Sequence, residues 1–172
     1  MTQKNEPLGG WIDAPEMQRQ ENPYDQLKAL GIVLPIQPKP IGNFVTHVLE
    51  GSLLFLSGQG PTHTDGRLHS GRLGDGVTVG DAYQHAWLTG INLLAVMHEA
   101  LGDLRRVRRI VKLLGFVNAT PEFDEHHKVI NGCSDLMGRV FGVSGIHARS
   151  AIGIASLPAN ITVEVEAIVA VD

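Results

Sequence analysis

Arg149 stands at the head of a run in which Ala151, Gly153 and Ala155 follow at alternate positions. Glu164 and Glu166 alternate in the same way with Val163, Val165 and Ala167. Period two places alternate residues on one face of a strand. A guanidinium fork matches a carboxylate with two parallel hydrogen bonds. Small side chains beside it leave room, and a nearby carboxylate is a candidate proton acceptor. The chemistry suggested is capture of a small anion with general-base work next to it. The same pattern also describes an ordinary sheet wetted on one face, with Arg149 paired to a glutamate in water. These residues alone leave both open.

Two strands must carry these groups, with Leu157-Pro158-Ala159-Asn160 as the turn between them. Upstream, Phe44 to Val48 and Ser52 to Leu56 read as strands around Glu50-Gly51. Ser57-Gly58-Gln59-Gly60-Pro61 follows, where glycine permits close backbone approach. Asp65-Gly66 signals a hairpin between Thr62–Thr64 and Arg67–His69. Thr78, with Asp81 three residues on, opens a long helix that Gly102 ends. Arg106 to Asn118 is a strand, and a second helix is expected from Glu122 to Phe141. Before all of these, residues 1–20 read as an arm that Trp11 and Ile12 dock. Asn22, Pro23 and Gly31 punctuate a helix over 22–31, and Pro35, Pro38 and Pro40 give an extended strap. Residues 21–172 form a single domain. The order is that of an α+β two-layer sandwich, with helices on one face of a mixed sheet. Apolar residues on both sides of the strands leave the other face to be covered by oligomerisation.

Composition narrows the function classes. A formal net charge of −4 argues against a general nucleic-acid binder. Arg105, Arg106, Arg108, Arg109 and Lys112 form a basic run, but charge runs are usually solvated and no aromatics interleave with it. The single cysteine, Cys133, excludes an internal disulfide framework and fits a reducing compartment. It falls on the apolar stripe of its helix, as a core residue would. No apolar run is long enough to span a membrane and no signal-peptide pattern opens the sequence, so a soluble cytoplasmic protein is expected. The histidines show no HxxxH or HExxH spacing, and no metal or other cofactor is expected. His147 is expected to be hydrogen-bonded and structural.

Four blocks in register carry a family resemblance: IGNFVTHV, LFLSGQGP, GFVN, and HARSAIGIASLPANITVEVEAIVAV. Over residues 40–171 the chain resembles the Rid family, the RidA-like (YjgF-like) reactive-intermediate deaminases also labelled endoribonuclease L-PSP proteins, in a branch with a longer N-terminus. The resemblance implies a chorismate-mutase-like fold: a six-stranded mixed sheet with two helices on one face, three copies of which close a homotrimeric barrel with pockets between subunits. It implies hydrolysis of enamine/imine intermediates such as 2-aminoacrylate/2-iminopropanoate to 2-oxo acids and ammonia. By the same resemblance, Arg149 holds the substrate carboxylate and Glu164 positions the attacking water. Ser57, Asn131, Phe44 and the backbone of Ala151 line the site, and Glu166 is structural. Phe44 replaces a Tyr and Ala151 a Cys. Two other functions stay in view: a trimeric small-carboxylate sensor without turnover, and a ribonuclease or translation inhibitor.

Overall fold

The closing stretch becomes the centre of the sheet. In a computed structural model describing residues 22–36, 40 and 42–172, β7 (Val163–Val171) lies between β2 (Leu53–Gln59) and β5 (Val107–Asn118). Its alternation is read out directly. Val163, Val165, Ala167, Val169 and Val171 are buried, whereas Glu164, Glu166, Ile168 and Ala170 are only partly covered. β1 (His47–Glu50) and β6 (Ala148–Ile154) are the edges, giving the order β1-β2-β7-β5-β6. All neighbours run antiparallel except β5 and β6. A parallel pair needs a crossover, and α3 (His126–Phe141) supplies it.

α2 (Val79–Leu101) and α3 pack side by side over the buried face. Thr78 accepts from the Asp81 amide at 3.1 Å, an N-cap, and its hydroxyl donates to the Asp81 carboxylate at 2.7 Å, where a capping-box carboxylate would instead take the N-cap amide. Such a cap contributes about 1 kcal/mol. Gly102, at φ 71°, closes the helix in the left-handed region. α1 (Pro23–Ala29) is capped by the Asn22 side chain at 3.1 Å. The Tyr24 hydroxyl then ties it to the end of α2, meeting His98 Nδ1 and the Leu104 amide at 2.9 Å each. No described helix is long and apolar enough to cross a membrane.

Three expectations need correction. Among the described residues the main sheet has five strands, not six. The segment at Thr62–His69 folds as a hairpin but makes only an isolated bridge, Thr62 to Leu68. Pro61 offers no amide hydrogen, so the ladder of β2 stops before it. A separate two-stranded ribbon, β3 (Arg72–Leu73) and β4 (Gly76–Val77), lies beside the sheet. Secondly, β1 starts at His47, leaving Phe44 in the preceding bend. Thirdly, α3 starts at His126, four residues later than Glu122. Thr120 to Glu122 is spent on a turn, closed by the Phe123 amide on the Thr120 carbonyl. Glu125, at the N-cap, makes no capping bond and instead pairs with Lys128. The arm at 1–20 lies outside the described residues, as do residues 37–39 of the strap.

Among the described residues, the sheet's other face is open. Ladder parity puts Phe55, Leu114, Phe116 and Ile168 on it, together with Lys112, Ser150, Glu164 and Glu166. Phe55 is 40% exposed and Val48 51%. This is the uncovered apolar face that the strand patterns predicted.

Candidate functional site

Arg149 lies opposite Leu113 in the β5–β6 ladder, so its side chain leaves the sheet on the helix side. α3 receives it. Arg149 Nη1 donates to Asn131 Oδ1 and to Ser134 Oγ, both at 2.9 Å, and Nη2 donates to the His127 carbonyl at 3.3 Å. Asn131 and Ser134 are three apart and share a helix face. All three partners are neutral, and among the described residues no carboxylate forms an ion pair with Arg149. Burial pulls its pKa down. A partly buried cation held only by neutral acceptors is a seat for an incoming anion. Three of its five N–H donors are used, and the rest remain for that anion.

Ala151 is two residues along β6 on the same face and packs against the core. The space expected beside the small residues is filled, however. The His126 ring sits where a Gly153 side chain would stand, and Ile130 does the same at Gly115. These glycines let α3 lie close to the sheet instead of opening a pocket.

Glu164 is elsewhere. It faces Phe116 and so points to the open face, opposite to Arg149. Its carboxylate lies against the backbone of Gly58, in the place a side chain at 58 would need. Burial first, and the charge of Glu166 second, raise its pKa. Ser57 is adjacent along the chain. Its hydroxyl donates to the Val45 carbonyl at 2.7 Å and its amide to Thr46 at 3.0 Å, pinning the bend that holds Phe44. Phe44 is 52% exposed. The six residues thus divide into two groups. Arg149, Asn131 and Ala151 gather at the β6 edge on the helix side. Glu164, Ser57 and Phe44 belong to the β1–β2–β7 side of the sheet. One protomer does not bring the two groups together.

Two features escaped the sequence reading. His147 Nε2 meets Ser134 Oγ at 3.0 Å, and its Nδ1 meets the Gly145 carbonyl at 2.6 Å. His147 is hydrogen-bonded at both ring nitrogens, as expected, and one of its partners touches Arg149. The i, i+3 spacing of Asn131 and Ser134 was the available signal. The second feature is a histidine stack. His63 and His69 face each other through Nε2 at 2.7 Å. The His69 ring stacks on His85 at 3.9 Å, and His85 Nδ1 meets Thr162 Oγ1 at 3.0 Å. Among the described residues no group of three or more His, Cys, Asp or Glu is arranged to hold a metal ion. Cys133 is fully buried, and burial pushes its thiol up to about 12, consistent with a core residue.

The stack has a pH consequence. Burial lowers His85 to about 4 from 6.5, His69 adding to the effect while Asp81 opposes it. Burial, with the charges of His63 and Arg67, also lowers His69. A histidine with a depressed folded pKa binds fewer protons folded than unfolded, so stability rises with pH across the interval. The urea midpoint is expected to drop as the pH falls from 6.5 to about 4, with His85→Gln flattening that limb. A midpoint in the wild-type protein that is level across the interval would contradict this account.

The basic run is largely consumed within the chain. Arg105 pairs with Asp103 at 2.6 Å and Arg108 with Asp172 at 3.5 Å. Arg106 donates to the carbonyls of Leu101 and Asp172 at 3.1 and 2.7 Å.

Comparison with known proteins agrees with this architecture. A curated Trypanosoma cruzi relative, Protein TCP17, is 44% identical over 144 residues, covering 83% of this chain and 90% of the relative. A Dermatophagoides farinae protein named 2-iminobutanoate/2-iminopropanoate deaminase is 32% identical over 143 residues, 82% of this chain and 95% of the relative. The crystal structure of a Shewanella oneidensis protein titled "putative endoribonuclease" superposes with a TM-score of 0.85 at 32% identity, covering 88% of this chain and all of that one. A family model described as "YjgF/chorismate_mutase-like, putative endoribonuclease" matches residues 24–169. With that match over most of its length, the chain belongs to the YjgF/chorismate-mutase-like family, the Rid family that its sequence blocks resemble.

Proposed function

We propose that this protein hydrolyses small imino acids of the 2-iminopropanoate/2-aminoacrylate type to 2-oxo acids and ammonia. The observation that carries the reading is Arg149: a partly buried guanidinium whose hydrogen-bond acceptors are all neutral, with donors left for a carboxylate. The family and the deaminase relative support the reaction class.

The chemistry asks little of the protein. Arg149 holds the substrate carboxylate and Asn131 holds Arg149. The imine carbon is already electrophilic, so water adds to it once a base takes a proton. Glu164, with its proton affinity raised by burial, takes one proton from the water and passes it to the imine nitrogen, giving a carbinolamine. It then moves the remaining hydroxyl proton to nitrogen, so the C–N bond breaks, the carbonyl forms and ammonia leaves. The backbone of Ala151 helps hold the water, and Ser57 and Phe44 line the site. No cofactor enters the proposal.

Because Arg149 and Glu164 leave opposite faces of one sheet, the complete site forms between copies. The β6 edge of one copy supplies Arg149, and the next supplies Glu164. Repeating that contact closes a ring, and a trimer would also cover the open apolar face. A cytoplasmic setting is part of the same proposal.

The test is ammonia release from 2-aminoacrylate generated enzymatically. Wild-type protein should accelerate it, and Glu164→Gln should slow the catalysed rate by about 100-fold. Absence of catalysis by the wild type would sink the enzymatic reading. Phe44, which lacks the Tyr hydroxyl, favours one other reading, a carboxylate sensor; 2-oxo acid binding without turnover is its signature. The internal pairing of the basic run speaks against a ribonuclease.

A further inference from the structure

His147, Ser134 and Arg149 form a chain whose proton order is dictated by its ends. The Gly145 carbonyl can only accept, so His147 Nδ1 carries the hydrogen in their 2.6 Å contact. Burial and the Arg149 charge keep the imidazole neutral, although the Gly145 bond opposes them. Neutral with Nδ1–H, the ring offers Nε2 as an acceptor, so the Ser134 hydroxyl donates to it at 3.0 Å. With its hydrogen spent there, Ser134 presents only lone pairs to Arg149 Nη1 at 2.9 Å. Without His147 that hydrogen could turn elsewhere, for a helical serine commonly to the carbonyl four residues back.

We propose that His147 is a positioning residue that acts on Arg149 through Ser134, locking the serine as an acceptor so that the guanidinium stays aimed at the ligand carboxylate. The inference rests on the reading of Arg149 as a carboxylate holder. It adds two residues that touch no substrate. Asp135, also on α3, accepts from the Tyr83 hydroxyl of α2 at 2.8 Å; its charge reaches Arg149, but it forms no ion pair with it.

The experiment measures pyruvate binding by calorimetry and, on the imine substrate, KM and kcat separately. His147→Ala and Ser134→Ala should each weaken pyruvate binding and raise KM by about tenfold, with kcat changed less than about twofold, because a hydrogen bond to a charged group is lost while the proton acceptor is untouched. Adding His147→Ala to Ser134→Ala should change binding by less than about twofold, since the hydrogen-bonded path from His147 to Arg149 runs through Ser134 and the ring is neutral. Ser134→Thr, which keeps the hydroxyl, should restore most of the binding. Nitrogen NMR of the wild type should report the Nδ1–H tautomer at His147 whether or not ligand is present.

Each contrary result has a distinct meaning. Additive losses in the double variant, a fall in kcat at constant KM, or an Nε2–H tautomer overturns the His147 role and leaves Arg149 in place. If wild-type protein binds no pyruvate and Arg149→Ala changes nothing, the carboxylate reading fails and this role fails with it.

Discussion

Arg149→Ala is expected to reduce kcat/KM for imino acid hydrolysis by about 100- to 1000-fold while leaving the fold intact. Truncating one partner of a desolvated, hydrogen-bonded charge pair costs roughly 2–5 kcal/mol, and each 1.4 kcal/mol is a factor of ten. The loss should exceed that from Ser134→Ala, because the cation itself disappears. Arg149→Lys should recover little of it. A lysine keeps the charge but not the fork that spans Asn131, Ser134 and the His127 carbonyl while still offering donors to a ligand. The fold should survive because the side chain lies at the sheet edge against polar groups. A melting temperature near that of the wild type, with catalysed ammonia release reduced by that factor, is the expected pair of results. Unchanged ammonia release would remove Arg149 from the site.

Gly132→Ala should be the most destabilising single methyl group that can be added to this chain's helix pair. Gly132 is where α3 touches the backbone of α2. Its added carbon would overlap the Tyr83 carbonyl oxygen and lie 3.0 Å from the Trp87 amide nitrogen. Backbone cannot rotate away as a side-chain tip can, so the helices must separate. The gap would open beside Gly90, whose own place is bounded by Leu136 and Cys133. Helix propensity alone favours the substitution by about 1 kcal/mol. Overpacking opposes it by about 3 kcal/mol or more, so the net sign is destabilising. In a domain of this size that difference lowers the melting temperature by several degrees, at roughly 2–4 °C per kcal/mol. A melting temperature equal to or above wild type would show that the helix pair has slack.

The elements were legible where one physical rule dominated. β7 followed its alternation residue by residue, because one face is buried without exception. Thr78 and Gly102 bounded α2 because each satisfies backbone groups the helix leaves free. Legibility failed where tertiary contacts decided. The start of α3 was displaced by a turn at Thr120 and by Phe123 packing on His126. The missing sixth strand reflects a hairpin that pairs with itself and with the histidine stack more than with the sheet. For the candidate site, the alternation each residue sits on was readable but the side it faces was not. Arg149 and Glu164 each sit on a clean alternation, yet which way each alternation faces depends on register with β5. His147 and Ser134 were hidden because they are separated in sequence and meet only when β6 docks on α3.

Placing Arg149 and Glu164 on opposite sides of one sheet also makes the sheet an electrical partition. Within a protomer, what raises the proton affinity of Glu164 is burial and Glu166, not any influence of the arginine. A cation close to that carboxylate would have pulled its affinity the other way and blunted it as a base. The proposed carboxylate holder and the proposed base therefore lie on separate surfaces of one chain. In the proposed site the two surfaces meet only where copies touch, so the contact between copies, and not the fold of one chain, sets how far the arginine lowers the proton affinity of Glu164.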